Sequence, residues 1–428
     1  MNFREALGDL NARQPEQMPE PSLDRIAALA ELADHPEVTY PSIHITGTNG
    51  KTTTARLVTA LACAHGLTTG TFTSPHLQSV TERLTLCGDE ISVAEFGEEY
   101  ERLLPYLREV DARLGPVTYF EALTALAYLW FADKPVQLGV FEVGMGGSWD
   151  ATNLVLGDVA VIAPVGLDHV EQLGPTIRDI ATEKVGIIKE GRVVVVREQL
   201  PEVMEVIRTR AAGVSARLLA EGEAFRLTER LPAVGGQTLS VAGVHASYEE
   251  FFLPLFGEQA ARNAAASIVA LEALLDRPLD ESAVTAAFGS ASSPGRLDVV
   301  GRRPLAILDG AHNPDAARAL VAGLREAFQW QRLYLVIGMF ADKAVEEVAA
   351  ILAPLADQAF ATAPSSSRAA PPSRLRDALR GAGLDAVGTF DTVSAAIQAA
   401  KEAAGNHDLI LVTGSFYTVG EARPLFLL

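Results

Sequence analysis

The stretch from 42 to 54 constrains the fold more than any other part of the sequence. It begins with an apolar run at 42–46, continues through a turn with two glycines, and ends with Lys51 and Thr52. A strand, a glycine turn and a helix start in this order let backbone N–H groups and a lysine surround a phosphate. The commonest phosphate loop has a glycine where Ile45 stands. The stretch therefore predicts a phosphate-binding loop, with an accidental match at a tight turn as the alternative.

Short apolar runs alternate with helix-forming stretches through the chain. Strands are predicted at 42–46, 69–73, 138–141 and 159–165, and helices at 119–131 and 256–275. Residues 193–245 are predicted to form further strands and turns. This alternation predicts an α/β fold whose mostly parallel sheet is covered by helices on both faces.

A small, helix-breaking segment at 290–296 marks a predicted domain boundary. We expect a larger domain at 1–293, a linker at 294–296 and a smaller α/β domain at 297–428. Further apolar runs in the last part predict strands at 305–308, 333–337, 358–361 and 409–412.

Composition excludes several classes of partner. The formal net charge of −19 argues against nucleic acid and anionic membranes. The longest apolar run, at 123–132, is much shorter than the ~18 residues of a membrane span. The opening residues lack a signal-peptide core, and no coiled-coil pattern is present, so we expect a cytoplasmic monomer. Cys63 and Cys87 have no metal or redox spacing and are predicted to be reduced core residues.

Polar side chains follow four of the predicted strands. They are Lys51, Ser74, Glu142 and the pair Asp168 and His169. Ligands of open parallel sheets bind beyond the carboxyl ends of the strands, so we expect these residues to share a cleft. An acid, an imidazole and a hydroxyl beside a phosphate loop could coordinate Mg²⁺ on a nucleotide. The alternatives are a helix cap for Ser74, a buried ion pair for Glu142 and a structural role for His169.

Lys184 occupies an unusual position in the predicted helix at 177–188. It lies four residues from both Ile180 and Ile188, which places it on the apolar face. Burial lowers the pKa of a lysine and favours the neutral amine, which can react with carbon dioxide to form a carbamate. The equal alternative is a lysine whose amine reaches solvent past an apolar stem.

Three further segments follow predicted strands. A glycine-rich loop at 142–153 could bring its backbone close to a ligand, and a tight turn is the alternative. Polar segments at 309–314 and 413–417 follow strands of the second domain. A site between the two domains is the simplest arrangement that uses all three.

Eight ordered motifs span nearly the whole chain. They are T-G-T-N-G-K at 46–51, S-P-H-L at 74–77, F-E at 120–121, E-V-G-M-G-G at 142–147 with D-A-T-N at 150–153, D-H at 168–169, E-K-x-G-I-I-K at 183–189, P-G-R at 294–296 and D-G-A-H-N-P at 309–314. In these motifs the chain resembles the folylpolyglutamate synthases of the Mur-ligase superfamily, which form amides with ATP. The resemblance implies a P-loop domain of the Mur-ligase central type followed by a Rossmann-like glutamate-ligase domain.

The resemblance also implies roles for individual residues. ATP would be held by Thr48, Asn49, Gly50, Lys51, Thr52, Asn263, Arg296 and Asp309. Magnesium ligands would be Thr52, Ser74, Glu142, His169 and Lys184 as a carbamate. The pterin would contact Tyr119, Phe120, Glu121, Trp149, Asp150 and Ala151, and the incoming glutamate His312 and Ser415. Catalysis would depend on Lys51, Glu142, His169, Lys184, Asp309 and His312.

The implied reaction is ATP-dependent addition of L-glutamate to reduced folates, and to dihydropteroate, with Mg²⁺ as cofactor. Ser148 and Trp149 depart from the family pattern beside the expected pterin site, as do Gln259 and Ala260 elsewhere and Ala344 after Lys343. The alternatives are a cell-wall Mur ligase, which carries a nucleotide-sugar domain before the phosphate loop, and a P-loop nucleotide switch.

Overall fold

The computed structural model describes residues 1–13 and 22–426, and this part of the chain forms three sheets. The first contains β1 (Ser42–Thr46), β2 (Thr69–Phe72), β3 (Leu84–Leu86), β4 (Asp89–Glu90), β5 (Leu138–Glu142), β6 (Val159–Ile162), β7 (Val193–Val196) and β8 (Arg217–Ala220). The second contains β9 (Arg226–Ala233), β10 (Gly236–Ala242) and β11 (Ser247–Leu253). The third contains β12 (Asp298–Arg302), β13 (Leu305–Leu308), β14 (Leu333–Ile337), β15 (Gln358–Ala361), β16 (Val387–Thr389) and β17 (Leu409–Thr413).

Helices connect most of the strands. Those before the third sheet are α1 (Phe3–Ala12), α2 (Asp24–Leu32), α3 (Lys51–Ala64), α4 (Val93–Leu114), α5 (Tyr119–Asp133), α6 (Val170–Leu173), α7 (Ile177–Lys184), α8 (Pro201–Gly213), α9 (Glu258–Leu275) and α10 (Glu281–Gly289). Those within it are α11 (Pro314–Ala327), α12 (Val345–Leu352), α13 (Pro372–Gly381), α14 (Val393–Ala403) and α15 (Phe416–Ala422).

The predicted α/β architecture is confirmed. The first sheet has the order β4-β3-β2-β5-β1-β6-β7-β8, and all neighbours from β2 to β8 in this order are parallel. The third has the order β12-β13-β17-β14-β15-β16, with only the pair of β12 and β13 antiparallel among its described strands. The domain limits at 293 and 297 stay predictions.

Apolar side chains on both faces of the first sheet explain the helices on both faces. Ile43 and Ile45 point to one face, where they pack with α3 and α9. Phe72 of β2 and Phe141 of β5 pack with α4 and α5 on the other face. Strands buried on both faces read as continuous apolar runs, which is how the sequence predicted them.

Two stretches differ from the sequence-based expectations. Residues 193–245 contain α8 between β7 and β8, besides strands and turns. Pro201 stands at its start, and Val203 and Ile207 are buried four residues apart, so the helical period was present but weak. The predicted helix at 177–188 ends as an α-helix at Lys184 and continues as a 3₁₀ turn.

The expectation of two reduced core cysteines is wrong. Cys63 at the end of α3 and Cys87 after β3 form a disulfide, and Cys87 is exposed. Antiparallel pairing of β2 with β3 brings them together, and the Cys87 N–H donates to the Thr69 carbonyl at 2.9 Å. The 24-residue separation hid a contact that only the sheet creates.

We expect the Cys63→Ser variant to be less stable than the oxidised wild type by about 3 kcal/mol, because the disulfide restricts the unfolded chain. The measurement is chemical unfolding with and without a thiol reductant. The reductant should lower wild-type stability by a similar amount and leave the variant unchanged. Two alkylatable thiols in native protein prepared without reductant would contradict the disulfide.

Candidate active site

The phosphate loop lies at the carboxyl end of β1, at the centre of the first sheet, and α3 begins at Lys51 as predicted. Gly47 and Gly50 have positive φ angles of 147° and 91°. A Cβ at Gly47 would lie 2.7 Å from the Ala163 Cβ, and one at Gly50 would lie 3.0 Å from the Asn263 amide nitrogen. Both positions therefore require glycine, and the loop keeps its backbone open as a phosphate site needs.

Two lysine amines converge on this loop. Lys51 Nζ and Lys184 Nζ each donate a hydrogen bond of 3.1 Å to the Gly47 carbonyl. Burial lowers the pKa of Lys51, and the charges of Glu142 and Asp168 oppose that shift. The Lys51 amine at the phosphate loop is suited to a ligand with several negative charges.

Lys184 is buried, so the alternative of an amine that reaches bulk solvent is wrong. Its side chain follows Ile180, which is also buried, along α7. Burial and, to a smaller extent, the nearby Lys51 charge lower the pKa of Lys184 to about 7, against the opposing charges of Asp168 and Asp150. Neutral amine is therefore abundant at neutral pH, as carbamate formation requires.

Glu142 ends β5 beside the phosphate loop and is buried. Its carboxylate accepts a hydrogen bond from the Thr52 hydroxyl at 2.9 Å and one from the Ser74 N–H at 3.1 Å. Burial raises the pKa of Glu142, whereas the Lys51 charge and these hydrogen bonds lower it. Glu142 thus contacts two other predicted magnesium ligands, Thr52 through its hydroxyl and Ser74 through its backbone N–H.

His169 lies on the wall of the same cavity as Glu142 and Ser74. Burial lowers the pKa of His169 to about 3, against the opposing charge of Asp168, so the imidazole is neutral at neutral pH. No group of three or more acidic, histidine or cysteine side chains suited to a metal occurs in the described ranges. One carboxylate, hydroxyls and a neutral imidazole still match the oxygen-rich donors of Mg²⁺.

Asp168 joins the two halves of the site, a role that sequence reasoning missed. Its carboxylate contacts Lys343 Nζ at 2.5 Å and His312 Nε2 at 3.3 Å, both from the second half of the chain. Burial alone would raise the pKa of Asp168, but the His312 hydrogen bond and the charges of His312, His169 and Lys343 hold it well below its usual range. In the sequence, the adjacent charged residues Asp342 and Lys343 were the feature that could have indicated a contact with Asp168.

Of the predicted pterin residues, Phe120 lies on the cavity wall, where it packs on Gly144. Glu121 is buried in an ion pair with Arg25 at 3.0 Å and also caps α5. Asp150 accepts hydrogen bonds from the Met145 and Thr152 N–H groups. The remaining members of the set are Tyr119, beneath the Arg83 guanidinium, Trp149, whose N–H donates to Glu183, and Ala151, whose carbonyl accepts from Tyr128. The pterin assignment stays a prediction.

The second half of the chain contributes Arg296, His312 and Ser415 to the cavity wall. Arg296 stacks on Phe416 with 4.4 Å between the guanidinium carbon and the ring centre. Asp309 is buried behind them and accepts hydrogen bonds from the Leu297 and Ala311 N–H groups. Ser415 caps α15, Asn263 contacts Arg197 and faces Gly50, and Asn49 contacts Asn313.

The cavity between these parts has a volume of about 1330 Å³. It exceeds the roughly 300–1,000 Å³ of most small-molecule sites, so it can hold more than one substrate. Its wall combines the phosphate loop, the strand ends of the first sheet and loops of the third. The cavity therefore lies between the first and third sheets, where the sequence predicted a site.

Two protein families and several curated relatives match this chain over most of its length. Residues 45–271 match the family described as Mur ligase middle domain, and residues 295–416 match Mur ligase, glutamate ligase domain. The chain is 40% identical to the dihydrofolate synthase/folylpolyglutamate synthase of Mycobacterium tuberculosis, over 97% of this chain and 92% of that protein. It belongs to the folylpolyglutamate synthase/dihydrofolate synthase family of Mur ligases.

Other members of the folylpolyglutamate synthase/dihydrofolate synthase family are also similar to this chain in sequence and structure. The Bacillus subtilis enzyme of the same name is 33% identical, with 94% of each chain covered. A structure of Mycobacterium tuberculosis folylpolyglutamate synthase complexed with ADP matches with a TM-score of 0.95 at 39% identity, over 99% of this chain and 98% of that one. Escherichia coli FolC in complex with DHPP and ADP matches with a TM-score of 0.88 at 30% identity, over 99% and 97%. The family resemblance seen in the motifs is confirmed.

Proposed function

We propose that this protein is an ATP-dependent ligase that adds L-glutamate to reduced folates and to dihydropteroate. The observation that carries the proposal is the convergence of Lys51 and Lys184 on the Gly47 carbonyl, beside the buried Glu142, in a cavity shared with His312. A nucleotide switch needs the phosphate loop but not Lys184 or His312. A cell-wall Mur ligase is the second alternative.

The proposed reaction has two steps. The acceptor carboxylate attacks the γ-phosphorus of ATP, the bond to the bridging oxygen breaks, and an acyl phosphate and ADP result. The glutamate amine then attacks the acyl carbon, loses a proton and displaces phosphate to form the amide. Lys51 would neutralise charge on the transferred phosphoryl group. Closure of the two sheet domains over the cavity would exclude water from the acyl phosphate.

Thr52, Ser74, Glu142 and His169 would hold Mg²⁺, together with Lys184 if its neutral amine adds to carbon dioxide. In that addition the nitrogen bonds to carbon and releases one proton, which leaves a carbamate anion. Bound Mg²⁺ would supply positive charge beside the phosphates. Arg296, Asp309 and Asn263 would complete the nucleotide site.

We expect labelled L-glutamate to enter an amide product when ATP is present with either tetrahydrofolate or dihydropteroate, with one ADP released per glutamate. The measurement is product chromatography together with coupled detection of ADP. A muropeptide acceptor serves as the control for the cell-wall alternative. ADP release that depends on neither pteridine would contradict the proposal.

We also propose that the protein acts as a monomer in the cytoplasm. No helix among residues 1–13 and 22–426 is long and apolar enough to cross a membrane. The net charge of −19 favours small-molecule partners over nucleic acid. The Cys63–Cys87 disulfide is unusual for a reducing compartment, so the thiol state in cells is a direct test of location.

A further inference from the structure

An arginine lies over a phenylalanine ring that packs against a tyrosine ring in the second-domain part of the cavity wall. The rings of Phe340 and Tyr417 lie 5.1 Å apart, and the Arg368 guanidinium carbon lies 4.6 Å from the centre of the Phe340 ring. All three residues line the same cavity as the phosphate loop. We call this group the arginine platform. Stacking on Phe340 holds a planar guanidinium in a fixed orientation.

The charge of Arg368 is only weakly engaged. Its Nη2 donates to Asp342 Oδ2 at 3.0 Å, and the two side chains are 52% and 35% exposed. An ion pair at that exposure contributes little energy, so a ligand carboxylate can replace Asp342 at modest cost. The Arg368 carbonyl accepts a hydrogen bond of 2.8 Å from the Ala341 N–H, which ties the loop in place.

The other cations of the cavity wall are more deeply placed. Lys51 and Lys184 share the Gly47 carbonyl, Arg296 stacks on Phe416, and Lys343 pairs with Asp168. Among the described cations of this wall, Arg368 is the exposed one. Arg368 therefore lies where the cavity opens to solvent, and the more buried cations lie deeper in the cavity.

The proposed acceptors differ in charge. Dihydropteroate has one carboxylate, and that group reacts. A reduced folate that already bears a glutamate has two carboxylates, so one remains after the other has been activated. In a protein with a net charge of −19 the remaining carboxylate needs a specific cation. An arginine fork matches a carboxylate with two parallel hydrogen bonds.

We propose that Arg368 of the arginine platform binds the unreacted carboxylate of a glutamate already attached to the acceptor. It thereby distinguishes folates that bear glutamate from dihydropteroate. This inference rests on the proposed function, and it assigns to one side chain the recognition that chain elongation needs and the first addition does not.

The test compares Arg368→Ala with the wild type on both acceptors. We expect the KM for tetrahydrofolate to rise roughly tenfold or more, since one charge-assisted contact is lost. The KM values for dihydropteroate and for L-glutamate should stay unchanged. Arg368→Lys keeps the charge without the planar fork and should fall between the two. Arg376→Ala is the matched control, because Arg376 pairs with Asp377 at 2.8 Å on the same domain, away from the cavity.

Calorimetry measures the affinity of each acceptor for the same variants, and so tests the Arg368 contact without turnover. Tighter binding of tetrahydrofolate by the wild type than by Arg368→Ala supports the platform even if ligation fails, so the two proposals are tested separately. Equal tetrahydrofolate binding by both proteins overturns the inference. An equal loss for both acceptors, or a rise confined to the KM for L-glutamate, also overturns it.

Discussion

Replacement of Lys51 by methionine is expected to lower the rate of glutamate ligation roughly a hundred- to thousandfold. The Lys51 amine lies on the Gly47 carbonyl at the start of α3, where the phosphates of ATP would bind. Removal of a positive group aimed at the transferred phosphoryl destabilises the transition state more than the bound substrate. The measurement is kcat for ADP release at saturating ATP, glutamate and tetrahydrofolate.

The control for Lys51→Met is Lys134→Met. Lys134 is a partly buried lysine that pairs with Glu95 at 2.6 Å at the end of α5, and it does not line the cavity. This variant should keep wild-type kcat. Because burial lowers the pKa of Lys51, its replacement should leave the melting temperature unchanged or raised. Lys51→Met with kcat within threefold of the wild type would show that the loop does not act on ATP.

Replacement of Lys184 by methionine is expected to abolish most of the ligation activity and to remove the carbamate proposed on this lysine. The amine is buried, its pKa is about 7, and it lies 3.1 Å from the Gly47 carbonyl. Loss of a metal-binding anion should reduce kcat roughly a hundredfold. In ¹³C-bicarbonate the wild type should show a carbamate carbon signal that Lys184→Met lacks.

The Lys189→Met variant is the control that shows which lysine gives the carbamate signal. Burial and the nearby Arg210 charge also lower the pKa of Lys189, to about 8, but its amine bonds to Asn153 outside the cavity wall. The carbamate signal should persist in this variant. A signal lost with Lys189, or full activity in Lys184→Met, would contradict the carbamate.

The Lys184→Met substitution should also change how the free energy of unfolding depends on pH. The pKa of Lys184 falls from its ordinary value of 10.5 to about 7 on folding, so between those pH values the unfolded chain binds the extra proton. Wild-type stability without added bicarbonate should therefore rise with pH across this window. Lys184→Met should lack this increase in the free energy of unfolding. Across the whole window the increase is about 5 kcal/mol, at about 1.4 kcal/mol per pKa unit. Urea unfolding at a series of pH values measures it.

Local sequence was sufficient wherever adjacent residues make the feature. The strand, glycine turn and helix start around Lys51 could be read in order, because neighbouring residues set backbone conformation. The spacing of Lys184 to Ile180 placed the lysine on the apolar face of its helix, because a helix places residues four apart on one face. The spacing left a buried amine and an amine that reaches solvent as equal alternatives, and the structure decided for burial. The bounds of β1, β13, β14 and β15 agree with the predicted apolar runs.

Contacts between distant residues could not be read in this way. Lys343 lies 175 residues from Asp168, and Arg25 lies 96 residues from Glu121, so no local period links them. The disulfide and the arginine platform likewise join residues that are distant along the chain: Cys63 and Cys87 meet beside the paired strands β2 and β3, and Phe340, Arg368 and Tyr417 meet on the cavity wall.

The sequence by itself determined the α/β class, the phosphate loop and the family, because each depends on short periods or ordered motifs. Only the tertiary structure decided which charges meet. The Gly47 carbonyl receives two lysines from different helices, and Asp168 joins Lys343 and His312 across the cavity. The physical reason is that electrostatic pairing depends on distance in space, which the order of residues along the chain does not specify.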